Sequence, residues 1–337
     1  NPKMFYKFGF YFIKMNKTLF LFLLVSVLVS CQKKTDTLNQ ENASDINTIS
    51  VIIDDQLWNS EVGDSIRNKF ASPVLGLPQE EPLFTIKQFP LKLFEGFSTG
   101  SRNMIIVKKN DKNLFQIKAN EFAETQNSFH ISGKSTNEIL FLLEKHTAEI
   151  IKRMRETEIK ANQLILSDSL QNTDKIKKKF NVDLSIPIEY DYVRRRKNFI
   201  WLKKEITSGN TSILIYQIPY NSIRDKNAVN DIVKVRDSIG KLYIHAKNNN
   251  AKMMTEEAYF PYFSKIKWNE YDVYETKGTW EMNNDFMSGP FVNYAIKDKA
   301  NNRILVLEGF CYAPSKEKRD LMFELESIIK TILIPKK

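Results

Sequence analysis

The stretch GTWEMNNDFMSGPF, residues 278–291, decides how the C-terminal half of the chain is interpreted. Asn283, Asn284 and Asp285 are residue types that tight turns favour, and strand-like YDVYETKGTWEM comes directly before them. Strand-like FVNYAIKD and RILVLEGFCYA follow, separated by a second turn at KANN. Three strands joined by short turns predict an antiparallel meander. We expect Gly289 and Pro290 to interrupt the edge of the second strand.

Helical patterns alternate with further strand-like segments on the N-terminal side of this meander. The longest helix is predicted from about Ser135 to Leu166, and Ser135 and Glu138 have the spacing of a capping box. Ser315 is expected to cap a closing helix, and the proline-rich residues 71–84 predict an irregular crossover. The pattern therefore predicts an α+β fold: two sandwich-like halves of largely antiparallel sheet with packed helices, joined by a long helix.

The segment MNKTLFLFLLVSVLVSC, residues 15–31, has the layout of a secretory signal peptide. A basic start at Lys17 precedes an apolar run that is shorter than the about 20 residues needed to span a bilayer. Residues 28–31 resemble the lipobox of bacterial lipoproteins, and this resemblance implies that Cys31 is acylated. We therefore expect a membrane anchor through lipidated Cys31.

Polar residues dominate after Cys31, which is typical of a flexible tether. Lys34 and Thr35 stand where a surface-export signal would place acidic residues, so we favour the periplasmic face of the cell envelope over the cell surface. We predict five segments along the chain: a lipoprotein signal peptide at 1–30, a flexible tether at 31–47, an N-terminal α+β half at 48–134, a connecting helical segment at 135–180 and a C-terminal α+β half at 181–337.

The chain is basic, with 50 Lys and Arg against 40 Asp and Glu and a formal net charge of +10. The basic residues are scattered among acids except in KIKKKF, residues 175–180, and RRRK, residues 194–197. Such clusters bind anionic lipid or nucleic acid, or simply form a solvated face. For an envelope protein we expect no nucleic acid, and we select Arg194, Arg195 and Arg196 as candidate contacts with a membrane surface.

Three motifs resemble catalytic signatures but lack the context that the chemistry requires. GFSTG, residues 96–100, matches the nucleophile elbow around Ser98, yet a strand follows it where the elbow needs a helix. SGKST, residues 132–136, lacks the first glycine of a phosphate-binding loop, so helix capping explains it better. Adjacent Glu80 and Glu81 point apart on an extended segment and are poorly placed as a general acid and base.

The histidines and cysteines give no ligand-spaced group. His130, His146 and His245 lie far apart, and Cys311 is the only cysteine besides Cys31. Cys311 lies within an apolar strand, which favours a small buried side chain. We expect no metal site and no cofactor.

Four segments together resemble a Bacteroidota lipoprotein family, domain of unknown function 4837, over most of residues 48–335. They are GDSIRNKFASPVLGLPQEEPLF, the pair Arg102 and Asn103, GTWEMNNDFMSGPF, and EGFCYAPSKEKRDLMFELESIIKTIL. Ser288 departs from the pattern, where glycine is expected. The resemblance implies a periplasm-facing or surface lipoprotein without an assigned activity. The second half also resembles the antiparallel sandwich of the photosystem accessory and Ran-binding proteins, which implies a scaffold that binds partners.

These observations predict a lipid-anchored cell-envelope protein that acts as a non-enzymatic binding or assembly module. An envelope protein is the expected partner, and the candidate partner-binding residues are Trp280, Phe286, Met287 and Pro290. The alternative is an envelope hydrolase with a carboxylate-based site, because a fold can bring distant acidic residues together in one cleft.

Overall fold

A computed structural model describes residues 45–93, 100–246 and 251–335. Within these ranges the chain forms six α-helices and two sheets, which confirms the predicted α+β class. The N-terminal elements are β1 (Thr48–Ile53), α1 (Asp55–Trp58), α2 (Glu61–Phe70), β2 (Thr85–Phe89), β3 (Asn103–Lys109), β4 (Leu114–Ala119), β5 (Asn127–Gly133) and α3 (Thr136–Leu166). No helix in the described ranges is long and apolar enough to cross a membrane.

The C-terminal elements begin with a short helix and end with an amphipathic one. They are α4 (Asp174–Phe180), β6 (Asp191–Arg196), β7 (Phe199–Ile206), β8 (Gly209–Pro219), α5 (Ala228–Tyr243), β9 (Met253–Thr255), β10 (Tyr262–Trp268), β11 (Tyr271–Met282), β12 (Asp285–Asp298), β13 (Arg303–Tyr312) and α6 (Arg319–Ile329).

The N-terminal sheet has the order β2-β1-β3-β5-β4, and one of its faces packs against α2 and α3. Here β1 is parallel to β2 and to β3, and β3 is parallel to β5, so only β4 is antiparallel to its neighbour. Parallel neighbours are possible because long connections, such as α1, α2 and the following crossover, carry the chain back across the sheet. Antiparallel pairing prevails over the described chain as a whole, but not in this sheet.

The C-terminal sheet has the order β10-β11-β12-β13-β8-β7-β6, and every neighbouring pair is antiparallel. Strand β9 pairs with the end of β11 beside β10. One face packs against α4 and α6, and the other packs against α5. This half is therefore a sheet between two helical layers, with a core on each face.

Helix α3 joins the two halves as predicted. Its N-terminus carries the expected capping box, because Ser135 and Glu138 each accept a hydrogen bond from the other's backbone. The first part of the helix packs on the N-terminal sheet, and the second part packs on α6. Asn162 Nδ2 donates to Ser327 Oγ at 3.1 Å, and Gln163 Nε2 donates to the Ser327 carbonyl at 2.9 Å. These bonds fix α6 against α3.

A buried carboxylate on α3 holds the start of the N-terminal sheet. Glu158 accepts hydrogen bonds from the Asn47 backbone N–H at 2.9 Å, from Arg102 Nη2 at 2.9 Å and from Asn103 Nδ2 at 2.8 Å. Asn47 precedes β1, and Arg102 and Asn103 stand at the start of β3. The pair Arg102 and Asn103 therefore has a structural role.

Two local predictions were wrong. Strand β12 runs through Gly289 and Pro290 without a break, because pairing with β13 begins only at Phe291 and a proline is tolerated where one side is unpaired. A Cβ at Gly289 would lie 2.1 Å from the Cys311 carbonyl oxygen, so close approach of the backbone explains this glycine. Ser315 does not cap α6, which begins at Arg319 after Lys318.

Candidate functional site

A cleft of about 700 Å³ lies between the proline-rich crossover of the N-terminal half and the C-terminal sheet. One wall is the crossover, residues 72–83, and the other consists of parts of β11, β12 and α6. Most lining side chains are apolar, and the charged ones come from both halves. The charged lining residues are Glu80, Arg155, Lys277, Arg319 and Glu326. A cavity of this size and character is typical of ligand sites, which are mostly apolar with a few placed polar groups.

The crossover is held in a fixed conformation at the cleft wall. Pro73 and Pro82 form an isolated antiparallel bridge, and the Val74 N–H donates to the Glu81 carbonyl at 2.9 Å. Gly76 has a φ of +84°, and a Cβ there would lie 2.9 Å from the Cβ of Lys277 on β11. Glycine is therefore required at this position, both for the backbone conformation and for contact with the sheet.

A buried ion-pair network forms the floor of the cleft. Glu326 of α6 accepts hydrogen bonds from Arg155 Nη2 at 2.7 Å and from Lys330 Nζ at 2.6 Å. Burial alone would raise the pKa of Glu326, but Arg155, Lys277 and Lys330 together hold that pKa well below its usual range. For Arg155, burial opposes the charge, yet Glu326 raises the guanidinium pKa. Both groups therefore stay ionised and paired.

This pairing limits what the cleft can do chemically. Glu80 and Glu326 are the two carboxylates in its lining, and Glu80 is exposed. A general acid must hold a proton near neutral pH, and Glu326 does not. Across the described residues, no group of three or more His, Cys, Asp and Glu side chains is arranged to hold a metal ion. The geometry supports binding better than acid–base chemistry.

Exposed apolar side chains lie in the lining of the cleft or close to a lining residue along the chain. Leu75 and Tyr262 line the cleft and are 55% and 53% exposed. Tyr259 and Phe260, on the segment leading into β10, are 68% and 73% exposed. Exposed apolar residues in such a group are typical of surfaces that bind another molecule.

The structure separates the four predicted partner-binding residues. Trp280 is buried in the core, where its Nε1 donates to the Cys311 carbonyl at 3.2 Å. Phe286, at the start of β12, is fully exposed, and Met287 is partly buried against the same core. Pro290 is buried and lines the cleft. Of these four residues, Phe286 and Met287 are therefore the two that the hairpin presents at its surface. Their contact with a partner stays a prediction.

The predicted membrane contacts lie on the opposite edge of the C-terminal sheet from β10. Arg194, Arg195 and Arg196 belong to β6, and Arg195 and Arg196 are exposed. The guanidinium of Arg195 lies 6.0 Å from the ring centre of Tyr192. Cys31 and Ser98 lie outside the described residues, so the structure says nothing of their positions.

Sequence reasoning did not select the residues that define the cleft, notably Arg155 and Glu326. A signal was present on α6, because Glu326 stands between Leu325 and Ile328 on the apolar face of the helix. A charge at such a position requires a buried partner. The identity of that partner, on a helix about 170 residues earlier, depends on the tertiary fold.

Comparison with known families divides the chain into two parts. Residues 169–331 match the family model of DUF4837, and residues 43–167 match that of DUF8532; both are described as domains of unknown function. The DUF4837 match therefore covers the C-terminal part rather than most of residues 48–335. The motif GDSIRNKFASPVLGLPQEEPLF falls within the second family. The two matched segments follow one another along the chain, and each covers less than half of it.

Similar solved structures share little sequence with the chain. The Ran-binding protein Mog1p of Saccharomyces cerevisiae is 9% identical, and the alignment covers 45% of this chain and 89% of that chain with a TM-score of 0.30. A mutant of protein Mog1 is 10% identical and covers 45% of this chain and 90% of that chain, with a TM-score of 0.29. No curated protein sequence matches the chain.

Proposed function

We propose that the protein is a lipid-anchored component of the bacterial cell envelope that binds a ligand or partner in the cleft between its two halves, without catalysing a reaction. The single observation that carries the binding role is the cleft itself, because it combines an apolar lining with a floor of paired charges. The lipobox-like sequence ending at Cys31 supports the anchor.

The ligand that suits this cleft is mainly apolar, because the cationic side chains of the lining are paired with carboxylates. Three of the charged lining residues are cationic and two are anionic, and Arg155 and Glu326 neutralise each other. Lys277 and Arg319 are also paired, Lys277 with Glu275 at 3.2 Å and Arg319 with Asp320 at 2.9 Å. Arg319 also donates to the Pro82 carbonyl at 3.0 Å, so it is fixed beside the crossover. Lys277 carries three N–H donors, so its ammonium can still donate to an acceptor on the ligand.

The proposed location is the periplasmic face, with acyl chains on Cys31 in the membrane and the residues that lead from Cys31 to Asp45 as the tether, since Asn47 is already fixed to the folded part by Glu158. Arg194, Arg195 and Arg196 are proposed to contact anionic lipid headgroups, since basic side chains near a membrane surface are attracted to it. The envelope setting is tested by growing cells with labelled fatty acid. Labelled protein is expected from the parent and not from Cys31→Ser, and equal labelling of both would exclude the anchor.

The binding role is tested with a fluorescent aromatic anion, 1-anilinonaphthalene-8-sulfonate, excited directly. Val74 lines the cleft and is half-buried, so Val74→Trp is designed to fill the cavity. Val193 on β6 is 43% exposed and far along the sheet order, so Val193→Trp is the matched control. We expect the parent and Val193→Trp to enhance the fluorescence equally and Val74→Trp to lose most of the enhancement. Equal binding by all three folded proteins would reject the cleft as the site.

A further inference from the structure

A second cavity, of about 420 Å³, lies at the other side of the C-terminal half and shares no lining residue with the cleft. It is bounded by the end of α4, the β6–β7 turn, the end of β8 and the turn before β13. We name it the basic cavity, after Lys178, Lys179 and Arg303 in its lining. The lining contains no Asp or Glu. Its other polar side chains are carboxamides: Asn181, Asn198, Gln217, Asn301 and Asn302.

We propose that the basic cavity binds a phosphate group. Phosphate offers several strong acceptor oxygens, and its recognition in proteins relies on lysine, arginine and amide donors. The basic cavity presents these donors together, on elements that come from four separate parts of the C-terminal half. This site does not depend on the proposed function of the cleft.

The hydrogen bonds of the Arg303 guanidinium give the most specific support for an anion in the basic cavity. Its Nε donates to Asp298 Oδ2 at 2.8 Å, and its Nη1 donates to Gln217 Oε1 at 2.9 Å. The buried Nη2 has no hydrogen-bond partner among the described residues. A buried donor without an acceptor is costly and uncommon, and Arg303 belongs to the lining of the basic cavity, so an anion bound there would complete the guanidinium's bonds once the side chain turns Nη2 towards it.

Asp298 forms an ion pair with Arg303 and neutralises part of its positive charge. This carboxylate is fully buried and also accepts hydrogen bonds from Asn301, at 3.2 Å from the backbone N and 2.7 Å from Nδ2. It therefore fixes the turn and orients the guanidinium. The net positive charge of the basic cavity then comes mainly from Lys178 and Lys179, which form no ion pair among the described residues.

The two lysines also have a structural role, because they lie in the last turn of α4, where cations offset the helix dipole. That role does not explain the arrangement around them. Lys179 Nζ donates to the Lys197 carbonyl at 3.1 Å, which joins the two basic clusters of the sequence into one surface. Lys175 contributes to it, with its ammonium 4.9 Å from the ring centre of Tyr192. A phosphate in the basic cavity would thus sit at the border of an extended cationic surface.

The phosphate could belong to a free phosphorylated molecule or to a lipid headgroup, and two arms of one experiment distinguish these sources. The first arm titrates inorganic phosphate against chloride at equal ionic strength and follows the backbone amide resonances of Asn181 and Asn302. The second arm measures the excess binding to phosphatidylglycerol-containing vesicles over pure phosphatidylcholine vesicles. All proteins carry Cys31→Ser, so that no acyl chain contributes to vesicle binding.

The test variant is Lys178→Gln with Lys179→Gln, and the control is Lys108→Gln with Lys109→Gln, an exposed pair on β3 with the same loss of charge. We expect the test variant to bind about tenfold more weakly in at least one arm, and the control to match the parent. A change in the phosphate arm alone assigns a free phosphorylated ligand, and a change in the vesicle arm assigns a headgroup. If the two double variants behave alike in both arms, or if phosphate and vesicles bind to neither parent nor control, the proposal is overturned.

Discussion

The carboxylate of Glu81 caps helix α6, whose N-cap residue Lys318 lies 237 residues later in the chain. Both carboxylate oxygens accept from the Lys318 backbone N–H, at 2.8 and 3.0 Å, and one accepts from the Arg319 N–H at 2.7 Å. Helix α6 has no side-chain cap of its own. Glu81 supplies the missing acceptor and places a negative charge at the positive end of the helix dipole. The crossover wall of the cleft is therefore tied to α6.

Replacing Glu81 should destabilise the whole protein, because the contact joins its two halves. We expect Glu81→Ala to lower the free energy of unfolding by about 1–2 kcal/mol, the usual cost of losing a helix cap. Glu80→Ala is the matched control, since Glu80 is exposed, and it should change the free energy by less than about 0.5 kcal/mol. Urea denaturation of the two variants measures the difference. Similar values for both would show that the capping bonds contribute little.

The Glu81 cap also shows where prediction from sequence reaches its limit. The elements that depend on local pattern, such as α3 with its capping box and strand β11, were predicted with nearly correct bounds, whereas β12 begins at Asp285 and not at Phe291, where the predicted strand FVNYAIKD starts. The expected cap at Ser315 was wrong because the true cap comes from a distant segment. Strand β4 was missed, because LFQIKA at the sheet edge has little buried surface and so a weak hydrophobic signal.

The cleft was harder to predict than the fold. Its proline-rich wall was recognised as an irregular crossover, but nothing in residues 71–84 indicates which surface they face. The parallel pairing in the N-terminal sheet could not be predicted from the sequence either, because the direction of neighbouring strands depends on the connections between them and not on the strands themselves. Trp280 and Phe286 illustrate the same limit, since two aromatic residues of one hairpin lie at opposite extremes of burial.

The Arg155–Glu326 pair should make stability depend on pH in the acidic range. The pKa of Glu326 is lower in the folded protein than the ordinary carboxyl value of 4.5. Its ionised form therefore stabilises the fold at neutral pH, and this contribution is lost as the pH falls below about 4.5 towards the folded pKa. At pH 7, Glu326→Gln should lower the free energy of unfolding by about 3–5 kcal/mol, because it leaves Arg155 buried without its partner.

The variant Glu326→Gln also separates the contribution of Glu326 to the pH dependence of stability from that of the other carboxylates. Between pH 5 and pH 3, roughly the range in which carboxyl groups titrate, the parent should lose more stability than Glu326→Gln. Glu124→Gln, at an exposed position, should follow the parent throughout. Chemical denaturation at each pH provides the free energies. Parallel curves for the parent and Glu326→Gln would contradict the role assigned to the ion pair.

Cys311 should be unreactive in the folded protein. The side chain is buried, and burial raises the pKa of its thiol to about 12, so the reactive thiolate is scarce near neutral pH. In a Cys31→Ser background, a maleimide should label Cys311 only after unfolding in guanidinium. A second protein with Phe286→Cys added should label at once in the native state, because position 286 is fully exposed. Rapid native labelling of Cys311 would mean that β13 opens readily.

Trp280 and Phe286 should differ sharply in what their replacement does. Trp280 is fully packed, with its ring edge-on to Phe310 at 5.6 Å between ring centres, so Trp280→Ala should cost about 3–5 kcal/mol of folding stability. Phe286→Ala removes an exposed side chain and should change stability by less than about 0.5 kcal/mol. Urea denaturation of both variants tests this difference.

The variants Trp280→Ala and Phe286→Ala also differ in what a loss of partner binding would mean. Loss of a partner in Trp280→Ala would report a damaged core, whereas loss in the stable variant Phe286→Ala would report a contact. Affinity purification from envelope extract is the measurement, with the parent, Phe286→Ala and the control Phe141→Ala, which replaces a phenylalanine that is 66% exposed on α3. We expect a protein that the parent and Phe141→Ala recover to be reduced with Phe286→Ala. Equal recovery by all three would remove the hairpin from the binding surface and leave the cleft as the site to pursue.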